Sequence, residues 1–70
     1  MDKQKFADVM NTKQVCAYWP FLNQNTMRYM RHAGTGPASF VINGKVFYRR
    51  AEVERWLAEQ EAATTRGGVA

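Results

Sequence analysis

One cysteine, one histidine and two prolines in 70 residues leave little material for covalent or metal chemistry. Cys16 alone excludes an internal disulfide and a cysteine-cluster zinc site, and it suits a reducing compartment. His32 has no Cys, Asp or Glu at metal-ligand spacing and no nucleophile beside it, so it reads as a backbone contact or a plain surface position. The central block has no paired carboxylates, no nucleophile with its base and no phosphate-cradling glycine loop. A non-enzymatic protein without a cofactor is expected. The longest apolar stretches fall far short of the roughly 20 residues that span a bilayer, and Met1-Asp2-Lys3-Gln4-Lys5 lacks the apolar stretch of a signal peptide. The expectation is a soluble protein of the cytoplasm with no membrane partner.

Acid is the most unevenly missing residue type. Between Asp8 and Glu52 there is none, while Lys13, Arg28, Arg31, Lys45, Arg49 and Arg50 give residues 9–51 a charge of +6. Residues 1–8 balance Asp2 and Asp8 against Lys3 and Lys5, and residues 52–70 set Glu52, Glu54, Glu59 and Glu61 against Arg55 and Arg66, for 0 and −2. A single-sign block repels itself and adds nothing to a fold. Its use is attraction to a polyanion, with nucleic acid the first candidate. Mere solubility predicts mixed signs throughout, as in the last third.

Enough apolar residues are present for a folded domain, 46% with 13% aromatic, although so short a chain buries only about 60% of its unfolded surface. Thr12 reads as the N-cap of a short helix that runs to Trp19 and stops at Pro20. Asn23 caps a second helix, Gln24 to Ala33, closed by Gly34. About three residues, Phe21-Leu22-Asn23, separate the two, which is helix-turn-helix spacing. Two β-rich runs, Ser39 to Ile42 and Lys45 to Tyr48, flank Asn43-Gly44, a strong hairpin signal. That turn sets Ile42 opposite Lys45, Val41 opposite Val46 and Phe40 opposite Phe47. From Ala51 a third helix follows, with Val53, Trp56 and Leu57 on one stripe. The order predicts a small α+β winged helix-turn-helix: a two-helix unit, a two-stranded antiparallel wing and a closing third helix. An N-terminal segment 1–8, a domain 9–62 and a flexible tail 63–70 are expected. Val15, Cys16, Trp19, Leu22, Met27, Met30, Val46, Tyr48, Val53, Trp56 and Leu57 form the expected core. Phe40, Ile42 and Phe47 share the other wing face, expected to be covered by the first helix or the N-terminal segment.

Thr26-Met27-Arg28-Tyr29 followed by Gly34 resembles the recognition-helix pattern of MerR-like winged helices. Tyr48-Arg49-Arg50-Ala51-Glu52-Val53-Glu54-Arg55-Trp56-Leu57 is similar to the stretch that follows the wing in small excisionase-like and AlpA-like proteins. The resemblance runs from about Met10 to Leu57. It implies a phage-type excisionase, or recombination directionality factor. Such a protein binds adjacent sites near an attachment sequence, bends the DNA, contacts integrase and turns recombination toward excision in the bacterial host cell. Its partners would be double-stranded DNA, integrase and neighbouring copies of itself. Three positions depart from the family pattern: Val15 replaces a capping Glu, Phe21 the Gly of the tight turn, and Ala51 a capping Ser or Thr. They bear on helix ends and on the crossing angle.

The resemblance makes Arg28, Tyr29, Arg31 and Lys45 candidate DNA contacts, with Thr26 opening the matching motif. Gln24 and Asn25 occupy the first turn of the second helix, where amides reach base edges or else only help to cap. Arg28 and Arg31 lie three apart, read as facing away from Met27 and Met30 toward phosphate or guanine. Tyr29 offers a hydroxyl to phosphate or its ring to the wing. Lys45 points from the wing tip toward the minor groove or acts as a gatekeeper on a β-edge. Of Arg49 and Arg50, one is expected on phosphate and the other in a cap or a pair with Glu52 or Glu54. Two other functions fit the same pattern: a minimal MerR/AlpA-like transcriptional regulator, and a protein-only adaptor using the apolar wing face and the acidic third helix. If about five basic residues meet phosphates, log affinity for duplex falls against log salt with a slope near −4.5, about 500-fold for a fourfold rise in salt. Gel shift on random DNA across a salt series measures this, and a flat response leaves the adaptor.

Overall fold

The computed structural model describes residues 6–68. Its elements are β1 (Val9–Asn11), α1 (Thr12–Tyr18), α2 (Gln24–Ala33), β2 (Ser39–Ile42), β3 (Lys45–Arg49) and α3 (Arg50–Thr64). The fold is a winged helix-turn-helix with one addition to the expected wing. The hairpin has the register that the Asn-Gly turn dictates, Phe40 against Phe47, Val41 against Val46 and Ile42 against Lys45. Asn43 and Gly44 both take positive φ, 53° and 80°, as a tight two-residue turn between right-twisted strands requires. The expected two-stranded wing, however, is a three-stranded antiparallel sheet in the order β1-β3-β2. β1 pairs Val9 with Arg49, Met10 with Tyr48 and Asn11 with Phe47, so β3 becomes the central strand. A backbone bond from the Arg50 N–H to the Asp8 carbonyl, 2.9 Å, continues the pairing into the start of α3.

The first helix also starts differently from the reading. Asn11, not Thr12, is the N-cap: its Oδ1 accepts from the Gln14 N–H, and Gln14 Oε1 accepts from the Asn11 N–H, both at 2.8 Å. This reciprocal box satisfies two donors that an uncapped helix leaves to water. Its side chains replace the capping Glu that the family pattern has at position 15, and Val15 is free to be fully buried. Residues 19–23 make the turn, closed by Leu22 N–H on the Trp19 carbonyl at 2.8 Å. α2 matches its expected limits. Asn23 Oδ1 accepts from the Asn25 and Thr26 N–H groups, and Gly34 is left-handed at φ 77°. A Cβ on Gly36 would come within 3.1 Å of Met30 Cβ, a close approach of the returning chain to α2 that glycine makes without displacing Met30.

α3 begins at Arg50 with Arg49 as an N-cap that makes no side-chain bond, so Ala51, expected at the capping position, lies inside the first turn. Its far end outlasts the expected boundary at 62. Ala63 and Thr64 are helical, and the Thr64 and Thr65 hydroxyls donate back to the Gln60 and Glu61 carbonyls, which prolongs the last turn. The expected tail is thus shortened from its N-terminal side, with residues 69–70 outside the described residues. Of the expected segment 1–8, residues 1–5 lie outside them too.

The core contains one buried side chain from each of four elements: Val15 of α1, Met27 of α2, Tyr48 of β3 and Val53 of α3. Met10, Cys16, Trp19, Leu22, Met30, Val46 and Leu57 pack around them. Met10 is the one addition to the expected set, contributed by β1. Trp56 lies at the edge instead, where its indole N–H donates to the Thr35 carbonyl at 3.0 Å and ties α3 to the turn after α2. Burial pushes the Cys16 thiol up, so it stays protonated at neutral pH and behaves as a small apolar group. Val15→Ala removes two methyl groups from the centre of this cluster and costs about 2 kcal/mol. Urea unfolding followed by circular dichroism should show the midpoint fall with an unchanged slope.

Candidate nucleic-acid interface

Met27 and Met30 turn one side of α2 into the core. At 100° per residue the opposite side carries Asn25, Arg28, Tyr29 and His32, all exposed, with Tyr29 at 71%. Gln24 and Thr26 are also exposed, in the first turn and on the two flanks of this stripe. The stripe is partly organised from within. Arg28 Nη1 donates to Asn25 Oδ1 at 3.2 Å, which holds the guanidinium against the first turn. The Asn23 cap frees the Asn25 side chain from capping, because the backbone donors of Asn25 and Thr26 are already satisfied.

Arg31 differs from the expectation. It lies one turn after Met27, on the flank of the buried side, and does not share the outward direction of Arg28. Its Nε donates to Ser39 Oγ at 3.2 Å, joining α2 to the root of the wing. His32, read from the sequence as a backbone contact or a plain surface position, is exposed on the outward stripe with Arg28 and Tyr29. The helical period contains that signal.

Lys45 is exposed at the wing tip, directly across from Ile42. Arg49 and Arg50 sit at the root, and both have protein partners. Arg49 pairs with Asp8 at 3.0 Å and lies over the rings of Phe6 and Phe40, at 5.2 and 5.7 Å. Arg50 is looser, 3.9 Å from Glu54 and 5.8 Å from the Tyr18 ring. Glu52 is bonded by Arg55. The second wing face is half covered: Phe40 and Phe47 are half-buried, tilted against each other at 6.2 Å, whereas Ile42 remains exposed. Phe6 of the N-terminal segment supplies part of that cover through Arg49. Among the described residues there is no cluster of three or more His, Cys, Asp or Glu able to hold a metal ion, and no helix long and apolar enough to cross a membrane.

A capped helix-turn-helix whose second helix presents polar and cationic side chains, with a wing rooted on that helix, defines a DNA-binding class of domain. The chain matches the family model of a helix-turn-helix domain over residues 9–61, and it belongs to that family. Comparisons with curated proteins and with solved structures give no match. Membership supports binding of double-stranded DNA as the activity of this domain. Arg28→Ala should weaken duplex binding by about 1–3 kcal/mol, and Arg28→Ala with Lys45→Ala should reduce the salt slope by about two. Gel shifts at several salt concentrations check both, with unfolding midpoints as the control for an intact fold.

Proposed function

We propose that this protein is an excisionase-type accessory factor. It binds adjacent sites in an attachment region, bends the DNA, contacts integrase and directs recombination toward excision, in the cytoplasm of a bacterial host cell. The hydrogen bond from Arg31 to Ser39 carries the DNA-binding part of this reading. It joins the recognition helix to the root of the wing, beside the core that Met27 and Tyr48 share, so a duplex that accepts α2 in its major groove meets the hairpin beside it. Gln24, Asn25 and Thr26 face base edges from the first turn, while Arg28 takes a guanine edge or phosphate. Tyr29 donates to phosphate, and Arg31 reaches the backbone from its place against Ser39. Lys45 enters the adjacent minor groove.

Arg49 and Arg50 divide the roles at the root of the wing. Arg49, engaged by Asp8 and two aromatic rings, is the structural member. Arg50, half exposed and only loosely bridged to Glu54, meets phosphate. The resemblance of Tyr48 to Leu57 to the post-wing stretch of excisionase-like and AlpA-like proteins supports an excision role, and a minimal regulator of the same fold shares that support. Cooperative occupation of neighbouring sites follows from size, since one small winged domain has too little interface for strong selective binding alone. With integrase and paired attachment sites, adding the protein should raise the yield of excised product, with a sigmoidal dependence on its concentration. Duplex binding without stimulation of excision assigns the chain to minimal transcriptional regulators instead.

A further inference from the structure

We infer that the wing tip is an apolar wedge, with Ile42 entering the minor groove and unstacking one flexible base step while Lys45 holds the adjoining phosphate. The inference rests on the DNA-binding reading above and adds the mechanism of bending. Three observations lead to it. First, the last two residues of β2 before the Asn43-Gly44 turn are apolar, one on each face: Val41 is 52% exposed and Ile42 46%. Two adjacent β-branched apolar side chains thus stand exposed beside a polar turn, where they can leave water only against a partner.

Second, the charge around the tip suits nucleic acid. Lys45 is paired directly across from Ile42, and residues 9–51 contain no acid. The acids nearest in sequence, Asp8 and Glu52, sit at the root of the wing, where Arg49 and Arg55 take them up. Third, the reach is right. The bond between Arg31 and Ser39 fixes the start of β2 against the recognition helix. Ile42 lies three residues further along an extended strand, about 10 Å away at ~3.3 Å per residue. Added to the length of the Arg31 side chain between helix and strand, this reach is on the order of the ~17 Å, half a helical turn, that separates the centre of a major-groove contact from the neighbouring minor groove.

An aliphatic side chain delivered there by a rigid hairpin acts by partial insertion between base pairs. The steps that yield most easily are pyrimidine–purine steps such as TA and CA. The site should therefore carry such a step about five base pairs, half a helical turn, from the centre of the α2 contact.

The test uses the full chain and a duplex of about 30 base pairs recovered by the wild-type protein from a random pool. One copy of this duplex carries dyes at its ends, and another carries 2-aminopurine in place of the adenine at the flanking step. Wild-type protein should shorten the end-to-end distance and raise the 2-aminopurine fluorescence. Ile42→Ala and Ile42→Thr, the second of which keeps the β-branched shape, should bind about fivefold more weakly with an unchanged salt slope and lose both signals. Lys45→Ala should lower the slope by about one and keep the fluorescence rise. Equal bending and fluorescence after Ile42→Ala overturn the wedge while leaving DNA binding in place. So does a defect seen only on duplexes holding several copies, which makes Ile42 a contact between protein molecules. Failure of the wild-type chain to recover any duplex removes the DNA-binding reading and the wedge together.

Discussion

Tyr48 is the side chain around which this molecule is organised. It stands in the central strand, paired with Met10 on one side and Ser39 on the other, and is buried against residues from all three helices. A domain of this size has room for only one fully buried residue per major element, so each of Val15, Met27, Tyr48 and Val53 carries an unusually large share of the apolar burial. The sheet and helices are therefore not separate layers that happen to touch. The orientation of α2 is set through Met27 by the same cluster that fixes the strand from which the wing projects. A change at the centre therefore reaches α2 and the wing together, since both are anchored in the same cluster.

On that frame the polar contacts act as local fasteners. Asn11 with Gln14 closes the start of α1, Asn23 closes the start of α2, and the Trp56 indole secures α3 to the turn that leaves α2. The pair of Asn25 and Arg28 is a fastener placed on the outward face of α2 itself. A guanidinium already bonded to its neighbour loses less rotamer freedom when it meets an anion than one moving in water. Preorganisation of this kind matters for a small domain, because its interface has little surplus to offset ordering.

Features encoded within a few residues are legible in the sequence, and those made by distant partners are not. Asn43-Gly44 fixes the hairpin register because turn geometry and strand twist are local, and Asn23 with Gly34 bounds α2 for the same reason. The capping box of α1 is written in the sequence as Asn11-x-x-Gln14, one residue before Thr12, an amide version of the Ser/Thr-x-x-Glu signature. Arg31 stands four residues after Met27, so its place beside the wing follows from the helical period only once Met27 is known to be buried. β1 is different: Val9-Met10-Asn11 has no alternation, and only pairing with β3 makes it a strand. Asp8 and Arg49 are joined across 41 residues of chain, with no local pattern to announce it. The candidate site shows the same split, since the outward stripe of α2 follows from helical period while the link from Arg31 to Ser39 needs the folded wing.

The strand order has a consequence for the behaviour of the molecule at high concentration. The longest strand, β3, is enclosed, and the two edges are the three residues of β1 and the four of β2. An edge that short gives a stray extended chain few amide groups to zip onto before its own backbone must turn away. Recruiting Val9 to Asn11 as a third strand therefore protects the hairpin, since a bare two-stranded wing would leave the full length of β3 open to templated aggregation.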